Sequence, residues 1–260
     1  MEVVMNIIVC VKQVPDTEAV LAVKEGKTIN EANIKWIMCP YDEYALEEAL
    51  KLKEKITGSK VTVISLGPAR VESILRTGLA MGAEAAVHIE VDEFIDHKVS
   101  SLALAKAIEQ EEERGVIFMG KQAIDDDAYL THIYIAEHLK IPVATNVIVF
   151  RHEGDSVTVE REIDEGAREK IEMGIPCVIG ATKGLNEPRY PSLMGMMKAK
   201  KIPIKKLSLA DLGIGDSTPK ISIEKLYAPP EKPPGRVLEG ELEECVKELA
   251  RLLKEEAKVL

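Results

Sequence analysis

Residues 44–66, Tyr-Ala-Leu-Glu-Glu-Ala-Leu-Lys-Leu-Lys-Glu-Lys-Ile-Thr-Gly-Ser-Lys-Val-Thr-Val-Ile-Ser-Leu, change hydrophobic period partway through. Up to Ile56, apolar Ala45, Leu46, Ala49, Leu50 and Leu52 recur at helical spacing, with Asp42 as the expected N-cap and Gly58 beyond the end. From Lys60 to Leu66 the chain turns into a short β-rich apolar run. The same alternation extends both ways. Strands are predicted at Asn6–Val11, Lys60–Leu66, Ala85–Ile89, Gly115–Met119 and Val143–Phe150, and helices at Tyr44–Ile56, Val71–Met81, Lys98–Gln110 and Tyr129–Leu139. Strands separated by helices of this length imply right-handed βαβ crossovers. The fold class is therefore α/β, a doubly wound, Rossmann-like parallel sheet covered on both faces.

After Phe150 the rhythm changes. Arg151–Ser156 reads as a hairpin turn into Val157–Ile163, a second turn leads to Ala167–Glu172, and Ile175–Thr182 is a buried strand, so small antiparallel additions are expected. Lys183–Leu193 is a loop before a short helix at Ser192–Lys200. Ser208–Glu239 holds Pro219, Pro229, Pro230, Pro233 and Pro234 and no long periodic segment, which predicts an extended arm with a short strand at Ile221–Glu224. Glu241–Lys258 is amphipathic, with Leu242, Val246, Leu249, Leu252 and Leu253 on one side. The expected division is a domain over 1–207 and an arm with a terminal helix over 208–260. Such an arm cannot form a core alone, so it lies on the main domain or on a partner.

The 260 residues carry 34 basic and 44 acidic side chains, a net charge of −10, with only 4% aromatics. That balance lacks the positive field and stacking platforms of nucleic-acid binders. No apolar run approaches the roughly 20 residues of a membrane helix, so no membrane insertion and a cytoplasmic location are expected. Cys10, Cys39, Cys177 and Cys245 stand far apart and do not cluster with histidines, which argues against zinc and for reduced, buried thiols.

Ligands of a doubly wound sheet bind beyond the carboxyl ends of its strands, which directs attention to the loops Lys12–Thr17, Gly67–Arg70 and Lys121–Thr131. There is no Gly-x-Gly-x-x-Gly after the first strand, no Walker A sequence and no nucleophile elbow. Asp125, Asp126 and Asp127 precede a predicted helix. Their plainest reading is capping of that helix against its dipole; a hard-cation site is the sharper alternative.

Several ordered segments together resemble the β subunit of electron-transfer flavoproteins over nearly the whole chain. They are Val9-Cys-Val-Lys-Gln-Val-Pro-Asp-Thr17, Pro40-Tyr-Asp-Glu-Tyr-Ala-Leu-Glu-Glu-Ala49, Gly120-Lys-Gln-Ala-Ile-Asp125, Val159-Glu-Arg-Glu-Ile-Asp-Glu-Gly166, Leu185-Asn-Glu-Pro-Arg-Tyr190 and Met197-Lys-Ala-Lys-Lys201. The resemblance implies an adenine-nucleotide-binding domain and a C-terminal arm embracing an α subunit that holds most of a redox FAD. It also implies AMP, or a second FAD in bifurcating members, in the β site. By the resemblance, that nucleotide touches Cys10, Lys12, Val14, Asp16, Thr17, Cys39, Ser65, Gly67, Gln122, Ala123, Asp125, Asp126, Asp127 and Thr131. Arg161, with Asp16 and Thr17, is expected to face the α-subunit flavin. The loop at Leu185, Pro188 and Tyr190 is expected to dock on flavin dehydrogenases such as acyl-CoA dehydrogenases, with Leu185 as anchor.

Two departures stand out. Cys39 occupies a position where the family commonly has Asn, and Asp126 replaces a glycine that admits a pyrophosphate, with Tyr129 and Leu130 adding bulk. The implied function is an electron carrier without turnover of its own, delivering to a quinone reductase or similar acceptor, its β site filled or empty. The alternatives are an NADH-dependent electron-bifurcating subunit, a free-standing nucleotide-binding or ATP-hydrolysing domain, and a structural partner with a decayed site.

Overall fold

The computed structural model describes residues 4–215, 217–228, 230 and 234–259, so Pro229 and Pro233 of the predicted arm lie outside the described residues. In chain order the elements are β1 (Asn6–Cys10), β2 (Gln13–Pro15), β3 (Val23–Lys24), β4 (Thr28–Ile29), β5 (Trp36–Met38), α1 (Pro40–Lys55), β6 (Lys60–Gly67), α2 (Glu72–Met81) and β7 (Ala85–Glu90). There follow α3 (His97–Glu109), β8 (Arg114–Gly120), α4 (Thr131–Leu139), β9 (Val143–Glu153), β10 (Ser156–Glu162), β11 (Arg168–Gly174), β12 (Cys177–Ala181), α5 (Leu193–Ala199), β13 (Ile204–Leu207) and α6 (Leu242–Glu255).

One nine-stranded sheet runs in the order β11-β10-β9-β12-β8-β1-β6-β7-β13. It is parallel from β9 to β13 and antiparallel only where β10 pairs β9 and β11. The expected doubly wound α/β sheet with antiparallel additions is thus what forms. All five residues of β1 are buried, as a strand covered on both faces requires. Side chains of alternate parity feed two cores. Ile7, Val9, Val61, Val63 and Phe118 meet Leu46, Leu50 and Leu75 of α1 and α2 on one face. Ile8, Ile64 and Ile117 meet Leu104, Ile108 and Ile135 of α3 and α4 on the other.

Helix boundaries correct the expectations in one place that matters. Helix α1 starts at Pro40, not near Tyr44, because proline suits the first helical position. Cys39 is the N-cap, without a side-chain cap bond, and Asp42 lies buried within the first turn. Asp42 is therefore not a cap. By contrast, Asp96 caps α3 through Val99 N at 2.9 Å, and Ser192 caps α5 through Gly195 N at 3.0 Å. Gly195 also lets α5 approach α2, since a Cβ there would sit 2.2 Å from the Ala80 carbonyl oxygen.

Among the described residues, no strand forms at Ile221–Glu224; Ile221 and Ile223 stay exposed. The arm is tied instead by isolated bonds, from Lys220 N to Asp96 Oδ2 (2.6 Å) and from Leu226 N to the Gly26 carbonyl (2.6 Å). Leu212 and Ile214 are still buried in the second core, beyond β13. Helix α6 has no buried residue; on its apolar side Leu242, Val246 and Leu249 are exposed and Leu252 and Leu253 are half-buried. No helix of the described residues is long and apolar enough to cross a membrane.

Candidate functional site

The chain leaves β1 for β6 and β7 on one side, then returns to place β8 on the other, so the winding reverses between β1 and β8. Loops from two such strands diverge at their carboxyl ends and open a crevice, the usual ligand position of this architecture. Its floor is Asp42. The carboxylate accepts Lys12 N at 2.7 Å through Oδ2 and Gly120 N at 2.8 Å through Oδ1, so the first turn of α1 joins the ends of both strands. Asp42 is 5% exposed. Burial pushes its carboxyl up to about 7, against the opposing pull of the two backbone N–H groups and Lys12. Gly120 must be glycine here, because a Cβ would lie 2.7 Å from both Asp42 Oδ1 and Tyr41 Cβ.

The rim is ionic. Lys12 Nζ reaches Asp125 Oδ1 at 2.8 Å and Asp126 Oδ2 at 3.0 Å, and His97 Nε2 lies 3.5 Å from Asp126 Oδ2. Burial lowers the Lys12 ammonium, but the two carboxylates outweigh it and hold it above the usual lysine range. Burial likewise pushes Asp126 up, and Lys12 more than reverses this. Asp127 accepts from Gln122 Nε2 at 2.5 Å. The capping expectation for these three carboxylates therefore fails: α4 begins behind Leu130 with no side-chain cap, and the aspartates turn to β1 and Gln122 instead. The physical reason is the nearby lysine, a stronger partner than partial charges on helix N–H groups. Nor does the hard-cation alternative gain support. Among the described residues no three His, Cys, Asp or Glu side chains are grouped to hold a metal.

Asp127 and Tyr129 hold positive φ (47° and 61°), which crimps the loop. The Tyr129 hydroxyl donates to Asn146 Oδ1, and Lys121 Nζ lies 5.3 Å and 5.6 Å from the centres of the Tyr41 and Tyr129 rings. Cys39 Sγ donates to the Gln122 carbonyl at 3.5 Å; burial pushes the Cys39 and Cys10 thiols up to about 12, so both are unreactive. Ser65, near the end of β6, is fully buried, and its Oγ has no hydrogen-bond partner among the described residues. Gly67, two residues on, has its carbonyl bound to the His88 ring at 2.8 Å.

The contacts thus join Lys12, Cys39, Gln122, Asp125, Asp126 and Asp127 at the crevice, with Cys10 at its floor and Ala123 bonded through its carbonyl to Asp127 N. Thr131 opens α4, half-buried. Other predicted residues are turned elsewhere. Val14 is fully buried in the β2–β5 ribbon, and Asp16, with Thr17 beside it, pairs with Lys35 at 2.6 Å. Arg161 lies on β10, between Glu169 Oε2 (2.6 Å) and Thr145 Oγ1 (3.3 Å).

His132 packs behind the crevice, edge-on to Tyr129 at 5.7 Å. Burial lowers its imidazole to about 4, so the folded chain keeps it neutral where the unfolded chain protonates near 6.5. Its contribution is full above 6.5 and is lost as pH falls towards about 4. Thermal melts across that range should show wild type losing stability relative to His132→Phe as pH drops; parallel curves would contradict this.

The predicted docking loop is stapled to α1. Arg189 binds Glu47 through Nε (2.8 Å), Nη2 (3.0 Å) and its backbone N (3.1 Å), and Glu54 through Nη1 (2.7 Å). Asn186 Nδ2 donates to the Tyr44 carbonyl (3.0 Å) and Glu48 Oε2 (2.9 Å). Leu185 is half-buried against the first core, so it is not a free apolar tip; Pro188 is also half-buried. Tyr190 is 94% exposed, and Leu193, Met194 and Met197 continue an exposed apolar surface. Neither Asp42 nor Glu47 was expected at a site. Only the spacing Cys39-Pro40-Tyr41-Asp42, with proline at the helix start, signals that Asp42 lies inside α1 rather than before it.

The family model described as "Electron transfer flavoprotein domain" matches residues 26–212. The chain is 40% identical over 260 residues to the electron transfer flavoprotein subunit beta of Bacillus subtilis, covering 98% of this chain and 100% of that one. It is 39% identical over 259 residues to the mitochondrial electron transfer flavoprotein subunit beta of Arabidopsis thaliana (98% and 100% covered). It is also 37% identical over 254 residues to the human electron transfer flavoprotein subunit beta (95% and 99% covered).

Proposed function

This chain belongs to the electron transfer flavoprotein family as a β subunit, and we propose that it is half of a heterodimeric carrier taking electrons from flavin dehydrogenases to a quinone reductase or similar acceptor. The observation that carries the reading is the uncovered apolar face of α6, in a chain whose own core is complete without it. A helix of 14 residues is marginal in water, so α6 needs a covering surface, which the α subunit supplies. The FAD, held mainly by that subunit, supplies the one- and two-electron chemistry when bound. Arg161, held by Glu169 and Thr145, is the residue of this chain that would stand beside it.

The crevice at the ends of β1 and β8 holds AMP in this reading. Ser65 Oγ is a buried polar atom left for a ligand to satisfy. Lys12 and Gln122 line the rim, and Lys121 there is engaged by no carboxylate among the described residues. Asp126, Tyr129 and Leu130 take up room in this loop that the longer pyrophosphate of a second FAD needs, which favours AMP. Simple carriage is accordingly favoured over NADH-dependent bifurcation. Docking on the dehydrogenase uses the loop at Leu185, Pro188 and Tyr190, with the exposed Tyr190 and the adjacent Leu193 supplying the apolar contact.

Co-expression with the α subunit and release of bound cofactors tests this. One FAD and one AMP per heterodimer is the expected result. Two FAD would overturn simple carriage, and a colourless chain forming no complex would overturn the carrier itself.

A further inference from the structure

We propose that Asp42 is the positioning residue of the nucleotide crevice: its carboxylate sets the separation of the β1 and β8 ends and so decides how tightly the crevice holds an adenine nucleotide. This rests on the crevice being the nucleotide site, as read above.

Two bridges cross the same gap. The upper one, from Lys12 to Asp125 and Asp126, joins partly exposed side chains and is weak enough to open for a ligand. The lower one is Asp42, which binds Lys12 N and Gly120 N, the backbone groups from which both rim loops depart. Because it is buried and grips backbone, it cannot exchange with water as the upper bridge can. Its position is not needed for α1 itself, since the carboxylate serves two strands rather than the helix N-terminus. A buried carboxylate with no cation in direct contact is expensive, and an apolar side chain would fill the space more cheaply. Gly120 closes the argument from the other strand, as any Cβ there would displace the Asp42 oxygen.

The groups facing Asp42 are the Cys10 thiol and the Lys12 side chain from the β1 side, the Cys39 thiol before α1, and Asp125 from the β8 loop. Both thiols stay protonated, so Lys12 and Asp125 are the charges beside it. Protonating Asp42 sets an O–H against one of the two N–H donors, and Asn sets an N–H there. Either change loosens one strand end.

The test uses the heterodimer, stripped of AMP and titrated with AMP by calorimetry at about pH 6 and about pH 8, either side of the Asp42 transition. Flavin absorbance reports the α-subunit site. Asp42→Asn is expected to weaken AMP binding about tenfold at the higher pH, the effect of one lost charge-assisted hydrogen bond. Flavin content should not change. Wild type should also bind more weakly at the lower pH, beyond the change shared by Asp42→Asn, which carries the ligand's own titration. Equal affinity of wild type and variant at both pH values would overturn the inference, as would lost stability with unchanged affinity. A wild type that binds no AMP would instead overturn the reading of the crevice. Should Asp42→Asn fail to assemble, Gly120→Ala displaces the same carboxylate, and wild-type affinity in that variant would overturn the proposal.

Discussion

Substituting glutamate at Val246 and Leu249 of α6 is expected to abolish assembly with the α subunit while leaving the β chain folded. Both side chains are about half exposed in the isolated chain, so their replacement removes little internal contact. In the heterodimer each would place a charge in an apolar contact and lose the burial of a Val or Leu side chain, which contributes about 1.5–3 kcal/mol. Two such losses amount to ~4 kcal/mol, or about a thousandfold in affinity. Size-exclusion chromatography of the co-expressed pair, with FAD absorbance, reads the outcome. A flavin-loaded heterodimer at wild-type yield would show that the arm is not the subunit contact. Because α6 is uncovered in the single chain, the melting temperature of β alone should stay where it is.

Arg189→Ala is expected to produce the largest loss of stability among single surface-accessible substitutions. Glu47 is 3% exposed and takes two hydrogen bonds from the Arg189 side chain besides one from its backbone N; without the guanidinium its carboxylate stays buried and loses its cation. Breaking such a pair from one side costs about 3–5 kcal/mol when fully buried. Arg189 is partly exposed, so water replaces some of the loss, and ~2 kcal/mol is the expected cost. In a chain of this size that lowers the melting temperature by roughly 4–8 °C. Arg189→Ala in a Glu47→Gln background should cost clearly less, because no charge is then stranded. Equal losses in both backgrounds would mean that Arg189 acts only through packing. The same substitution frees residues 185–190, so weaker docking is expected alongside the lower melting temperature.

The parts of the fold legible from sequence share one property: their signal lies within a few residues. Buried runs such as Asn6–Cys10 and Lys60–Gly67 and the apolar stripe of α1 follow from local period, and their alternation is enough to imply the parallel sheet. Strand β13 carries no such signal, because Lys205 and Lys206 give it no apolar alternation, although charge is what an edge strand carries. Ile221–Glu224 has the composition of a strand but forms none, since composition does not provide a partner.

The site divides in the same way. The ordered motifs from Val9 to Lys201 were enough to identify the family and to point at the loops after β1 and β8. What each residue does there was decided by contacts across the chain. Asp42 reads as a helix cap until Lys12, 30 residues earlier, and Gly120, 78 residues later, are brought onto its two oxygens. Asp125 and Asp126 read as helix caps until Lys12, 113 residues from Asp125, stands against them. Leu185, the expected docking anchor, is half-buried against the core, while Arg189 and Asn186 are drawn onto α1, about 140 residues away, and Tyr190 stands in solvent. Hydrophobic period is a local property, and one chain suffices to read it. The partner of a charge is whichever group the closed sheet sets beside it, so only the tertiary structure decides it.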